Sequence, residues 1–316
     1  MNHHPANRLA RSRRGPRVAS AVLAACLLVA VTACSSSKSN TSTTGTTGGS
    51  SGGSATNCTA AAAIPSSVKS AGSLSAATDA SYAPMEFIGT DGTTIEGADI
   101  DLGNAIAKQL GLTAKWQNVK FDSIISGIGT RYDMSMSSFS VTAAREKQVC
   151  MVSYFSAGTS FMVQTGQNQD ITSLSALCGK TVAVETGTTE QTDATGQSAK
   201  CKSAGKPAVT VLTFPDQNGA NLALTSGRAQ AGMADSPVAA YAAKQSAGKI
   251  EVVGSSYGEA PYGIVLPNTS EFAGLASSVL GALKTLDSNG TYKQILDKWG
   301  LTSGAISDFA INPASS

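Results

Sequence analysis

Leu177-Cys-Gly-Lys-Thr-Val-Ala-Val-Glu-Thr-Gly-Thr-Thr189 holds the pattern on which the fold turns. Thr181–Val184 is a short apolar run that reads as a buried strand. Gly187-Thr188-Thr189 follows as a glycine turn, and the polar segment beyond it reads as a helix. A glycine turn that opens a helix leaves free N–H groups aimed at an anion. No Gly-Lys-Ser/Thr follows the turn, which argues against a phosphate-binding loop. Outward from this unit, Val209–Phe214 and Ile250–Val253 are further strand-like runs. Asp101–Leu110, Asn218–Ser226 and Glu271–Leu286 carry helical spacing, with Asp101 as a predicted N-cap and Gly111 as a stop. Strands alternating with helices predict parallel sheets covered by helices, an α/β chain.

Composition removes several function classes. The only histidines of the 316 residues are His3 and His4, and the six cysteines contain no Cys-x-x-Cys. Without the N-terminal segment the chain has no histidine, so His-based nucleophile pairs and His-ligated metal sites are excluded. Zinc ribbons and thioredoxin-like sites go with the missing Cys-x-x-Cys. No metal and no cofactor is expected.

Residues 1–17 carry Arg8, Arg11, Arg13, Arg14 and Arg17 and no acid, and Val18–Val31 is almost purely apolar. The run is too short to span a bilayer, which takes roughly 20 residues. A basic stretch, a short apolar stretch and small residues describe a secretory signal over 1–33. The run ends Val31-Thr32-Ala33-Cys34, which resembles a bacterial lipobox with Cys34 as the acylated residue. Residues 34–57 then form a Ser/Thr/Gly-rich stretch, expected to be a disordered tether spanning ~25 Å. Removing residues 1–33 takes away five of the 23 basic residues and none of the 21 acidic ones, leaving 18 against 21, a net −3. Nucleic-acid binding thereby loses its main support.

Further motifs follow in order. They include Leu74-Ser-Ala-Ala-Thr-Asp79-Ala-Ser-Tyr82-Ala-Pro-Met-Glu86-Phe87, Glu96-Gly-Ala-Asp99-Ile-Asp101-Leu102, and Phe121-Asp-Ser-Ile-Ile-Ser-Gly127. Tyr132-Asp-Met-Ser-Met-Ser-Ser138-Phe-Ser140-Val-Thr142-Ala-Ala-Arg145, Leu224-Thr-Ser-Gly227-Arg228 through Asp235, and Lys298-Trp299-Gly300 complete the set. In this order the chain resembles, over about residues 72–302, the family 3 solute-binding proteins of bacterial ABC importers for polar amino acids. It departs from the family pattern at Ala98 and Gln230, where an aromatic and an aspartate are usual. The resemblance implies a periplasmic-binding-protein-like type II fold: two mixed α/β lobes joined by a two-strand hinge and closing on an amino acid. The expected lobes are 58–160 with 257–305, and 161–256, followed by a C-terminal tail at 306–316.

Thr142 is placed to cap a helix, which puts Arg145 in the first turn, an unfavourable position for a cation. An anionic partner would offset this, and the resemblance makes that partner the substrate α-carboxylate, shared with Thr188 and Thr189. A surface pair with Asp99 or Glu146 is the alternative. Asp235 ends the apolar run Ala229–Ala234 before Ser236-Pro237, where it either binds the substrate ammonium or caps the next helix. Ser138, Ser140 and Asp79 are expected at the same cleft edge, with Tyr82 and Phe121 as aromatic walls. Glu185 and Glu190 flank the glycine turn, and the resemblance points them at the side-chain pocket. A carboxylate there favours a basic or amide side chain. The expected function is a lipid-anchored, monomeric receptor for a free L-amino acid on the extracytoplasmic face of the membrane. It delivers to ABC permease subunits and is not an enzyme. A cyclohexadienyl-dehydratase-like enzyme, for which Glu185 is the one candidate acid, and an amino-acid-sensing domain are the alternatives.

Cys58, Cys150, Cys178 and Cys201 remain beyond the signal and lipid cysteines, and export predicts two disulfides among three pairings. Cys178–Cys201 is preferred because it brackets one strand–helix unit, which leaves Cys58–Cys150. The lipobox yields the first prediction. Cys34→Ala should release the protein from the membrane fraction to the medium; identical fractionation and processing of the variant would refute acylation.

Overall fold

The computed structural model describes residues 56–314 except Ala62. The expected signal, Cys34 and nearly all of the tether lie outside the described residues. Thr56 and Asn57, read as the end of the tether, instead begin a short helix, Thr56–Thr59.

The strands are β1 (Ser73–Thr78), β2 (Ser81–Tyr82), β3 (Glu86–Ile88), β4 (Ile95–Glu96), β5 (Thr113–Asn118) and β6 (Met134–Ser135). They continue with β7 (Val149–Gln164), β8 (Thr181–Glu185), β9 (Thr210–Phe214), β10 (Ala231–Asp235) and β11 (Ile250–Pro267). Eight of them form one sheet in the order β5-β1-β6-β11-β7-β10-β8-β9, and β2-β3-β4 form a small second sheet. β1 runs parallel to β5 and β6 at one end, and β8 runs parallel to β9 and β10 at the other. β10 is buried along its whole length, as expected of a parallel strand covered on both faces. β5 is an edge strand with mostly exposed, polar residues such as Lys115 and Gln117, which blunts the edge.

β7 and β11 pair antiparallel from Val149–Pro267 to Gln164–Ile250 and are the two strands that pass between the lobes. Only Ile250–Val253 reads as strand in the sequence; the strand runs on to Pro267, but within Gly254–Glu259 only Tyr257 pairs with β7, and Gly254 and Gly258 take φ 70° and 67°. The register slips between Val253 and Ala260, midway along the pair, and such irregularities bend and twist strands. Tyr257, assigned to lobe 1 by the expected boundary, stacks on Phe161 and donates to Asp193 Oδ2 at 2.9 Å. The crossing of β11 therefore comes after Tyr257.

The largest core is centred on the first lobe and runs on into Leu224, Ala234 and Val238 of the second, which also has a core of its own. Leu74, Leu102, Ile106, Ile264, Val279 and Leu283 pack in the first; Phe161, Val182, Val184, Ala194 and Met233 pack in the second. The helix expected to begin at Asp101 starts at Ala98, with Gly97 as its N-cap, and runs to Gln109, placing Asp99 and Asp101 in the first turn. The helical pattern Glu271–Leu286 is broken by Gly274 in the left-handed region, so the long helix is Leu275–Ser288. The expected C-terminal tail is packed: Phe309 is buried, and Ala310 exchanges backbone and hydroxyl hydrogen bonds with Ser153 of β7. Among the described residues no helix is long and apolar enough to cross a membrane.

Disulfides join Cys58 to Cys150 and Cys178 to Cys201. Their sequence separations, 92 and 23 residues, give chain-entropy contributions of about 4.6 and 3.4 kcal/mol. Replacing Cys58 and Cys150 by Ser should therefore cost more stability in urea denaturation than replacing Cys178 and Cys201; the reverse order would mean that native packing, not loop closure, sets the effect.

Candidate functional site

The carboxyl ends of the parallel strands converge on one cavity. Asp79 follows β1, Phe121 opens a helix just after β5, and Ser137, Ser138 and Ser140 follow β6. Glu185 ends β8, Asp235 ends β10, and Thr188, Thr189 and Glu190 form the start of the helix Thr189–Ser203. In open α/β sheets this is where ligands bind, because helix N-termini and strand-end side chains meet there. All ten residues singled out as ligand candidates line this cavity, with Tyr82 and Arg145 among them. Three more line it: Glu190, which the resemblance points at the side-chain pocket, and Glu86 and Ser137, which no local pattern marks.

Thr142 caps the short helix Ala143–Glu146, its hydroxyl accepting from the Arg145 amide. The guanidinium then reaches back: Nη1 donates to Ser140 O at 2.7 Å and Nη2 to Gly187 O at 3.2 Å. Its carbon lies 5.5 Å from the Phe121 ring and 5.0 Å from the Phe139 ring, which stack on each other at 4.2 Å. Neither Asp99 nor Glu146 forms an ion pair with Arg145, and no described residue does. Asp99 is instead held by Tyr154 Oη, at 2.7 Å from both carboxylate oxygens, and by the Ser138 amide.

Ser138 has φ 52°, a left-handed conformation costly for a residue with a side chain. The Asp99–amide bond and a hydroxyl bond to Glu86 Oε2 at 3.2 Å hold it there. Glu86, fully buried, also accepts from Ser137, whose Oγ in turn accepts from the Asp79 amide. A chain of buried hydroxyls and carboxyls thus supports the cavity wall from behind.

The charge balance is lopsided. Asp79, Glu86, Glu185, Glu190 and Asp235 line the cavity with a single cation, Arg145. Burial raises the Asp79 carboxyl. Burial, then Glu190 beside it, pushes Asp235 well up. Burial and the adjacent Asp99 do the same to Glu86, while burial lifts Asp99 to about 6. Glu185 is pushed up to about 9 by burial and by Asp79, Asp216 and Glu190. Asp235 occupies the N-cap position of the helix Ser236–Gln245 without a side-chain capping bond, so capping does not account for its carboxylate.

Contacts across the cleft show the lobes closed. The Asp235 amide donates to Tyr82 Oη at 2.9 Å, the Gln217 amide to Ser81 Oγ at 3.1 Å, and Lys120 pairs with Asp216 at 2.8 Å. Gly187, at φ 86°, would put a Cβ 3.0 Å from Asp122 Cβ, so a side chain there would press the lobes apart.

Residues 74–302 match the sequence profile of the bacterial extracellular solute-binding proteins, family 3. The chain belongs to this family. An arginine-binding protein of Corynebacterium glutamicum is 34% identical over 79% of this chain and 82% of its own. The solved structure of an ancestral arginine-binding protein bound to arginine is 33% identical, with TM-score 0.66, covering 72% of this chain and 98% of its own. An ancestral amino-acid-binding protein described as a precursor of cyclohexadienyl dehydratase is 31% identical, with TM-score 0.63, covering 74% and 97%. The two-lobed fold with a two-strand hinge is that of this solute-binding family.

In this family 3 protein the Lys120–Asp216 pair is largely solvent-exposed on the Lys side and contributes at most about 1 kcal/mol to closure. Asp216→Asn keeps a cap for the helix Gln217–Thr225, whose Gly219 amide Asp216 now receives. Spin-label distances across the ligand-free cleft should show a larger open population in the variant, by up to about fivefold. An unchanged distribution would remove the pair from the closing mechanism.

Proposed function

We propose that the chain is the amino-acid receptor of a bacterial ABC importer, anchored by a lipid at Cys34 on the extracytoplasmic face and working as a monomer. It captures a basic or amide amino acid, arginine foremost, by cleft closure and hands it to the permease. The observation that carries this reading is the cavity itself: one guanidinium without an ion pair among the described residues, facing an excess of acids. A zwitterion with a cationic side chain complements both. The arginine-binding names of the relatives support the same choice.

In this reading Arg145, with Thr188 and Thr189 at the helix start, holds the α-carboxylate. Asp235, with Asp79 or Ser138 across the cleft, holds the α-ammonium. Ser140 positions Arg145 through its carbonyl, and Tyr82 and Phe121 wall the side chain. Glu185 and Glu190 face the side-chain end. Each ligand charge is then shared between lobes, so the ligand selects the closed state. A dehydratase reading rests on Glu185, an acid held protonated near neutral pH, and turnover of prephenate or arogenate would establish it.

Removing one partner of a buried charge pair costs roughly 2–5 kcal/mol. Arg145→Ala and Asp235→Ala should each weaken arginine binding by a factor on the order of 10² or more in calorimetry, with ligand-free melting little changed. Near wild-type affinity in either variant would place the ligand elsewhere.

A further inference from the structure

Glu185 is 3% exposed and lines the cavity, and its Oε1 is buried without a hydrogen-bond partner. Asp79, Glu86 and Glu190 each accept at least one hydrogen bond from the protein. The charged groups that face Glu185 are Asp79 after β1, Glu190 in the first turn beyond the glycine turn, Asp216 after β9, and Lys120. Three are acids. The cation, Lys120, is committed to Asp216 at 2.8 Å. An ionised Glu185 would have neither a counter-ion of its own nor a donor on Oε1, and an unpaired buried charge is far costlier than a buried neutral carboxyl. The protonated form therefore belongs to the closed cleft, in line with a pKa raised to about 9 by burial and by these acids.

We propose that Glu185 reads the charge of the ligand side chain by proton exchange: a cationic side chain expels the Glu185 proton and pairs with the carboxylate left behind, whereas an amide side chain leaves the proton in place and accepts a hydrogen bond from it. The inference rests on the amino-acid reading above and names how that site separates its substrate classes. The O–H bond of the carboxyl breaks, its electron pair stays on oxygen, and the proton passes to water or buffer. One positive charge enters the cleft with the side chain as one leaves, so closure buries no extra net charge.

The sign of the pH dependence follows. Below its pKa the cleft closed on a neutral side chain keeps the Glu185 proton and the cleft closed on a cation does not, so lowering the pH weakens binding of the cationic ligand relative to the neutral one. When a whole proton is exchanged, the effect approaches tenfold per pH unit. Protons on Asp235 that respond to the α-ammonium respond equally to any amino acid. The ratio of affinities for arginine and for citrulline, its uncharged analogue of equal length, isolates the side-chain proton.

Calorimetry of the purified protein with arginine and with citrulline, between about pH 6 and pH 8 in buffers of different ionisation enthalpy, counts those protons. Arginine should release about one proton more than citrulline, and the arginine-to-citrulline affinity ratio should rise towards tenfold per pH unit. Glu185→Gln mimics the neutral carboxyl; it should abolish both differences and weaken arginine at least tenfold at the upper pH. Equal proton counts in the wild type overturn the inference. So does a difference that survives in Glu185→Gln, which would assign the proton to Asp79, and so does a wild-type cleft that takes arginine but refuses citrulline. Binding of no amino acid would overturn the amino-acid reading itself, a distinct outcome.

Discussion

β7 and β11 are the two long strands of the sheet among the described residues, and they pair at both ends of their length, on either side of an irregular middle. β6 and β1 attach at the end of the pair where β7 begins and β11 finishes; β10, β8 and β9 attach at the other. Each lobe is thus a parallel sheet grown from one end of a shared antiparallel ribbon. The slipped register in the middle of the ribbon is where it is least constrained by regular pairing. The topology places the carboxyl ends of β1, β6, β8 and β10 around one gap, so the chemistry of the cleft and its ability to close come from the same two strands.

Within that gap the dominant force is desolvation. Five carboxyl groups in one dry cavity with one guanidinium cannot all ionise, and burial accounts for the largest part of the upward shift of Asp79, Glu86, Glu185 and Asp235. Hydroxyls and amides hold some of these acids in place: Ser137 and Ser138 against Glu86, Thr159 and Thr189 against Glu190. The strained backbone of Ser138 persists because Asp99 and Glu86 both bind that residue.

The candidate site was legible where a local rule spoke. Thr142 three residues before Arg145 signals a cap, Gly187 after an apolar run signals a turn opening a helix, and Asp235 closes a run too apolar to be anything but a buried strand. Glu86 and Ser137 were not legible, because their burial is created by partners about 50 residues away in sequence. The same holds for the second half of β11, Ala260–Pro267, whose pairing partner β7 lies far earlier in the sequence. The start of the helix at Ala98 carries no local signal, because Gly97, not an oxygen-bearing side chain, stands at its cap.

Cys58 is bonded to Cys150, the second residue of β7. Whatever pulls on the chain from before residue 58 therefore pulls on the base of a hinge strand through a covalent link. It does not first peel away the helix Ser66–Ala71 and β1, which lie between Cys58 and the rest of lobe 1 in sequence. The disulfide sets a load path: tension on the chain before Cys58 bypasses the helix Ser66–Ala71 and β1 and enters the molecule where β7 is paired with β11.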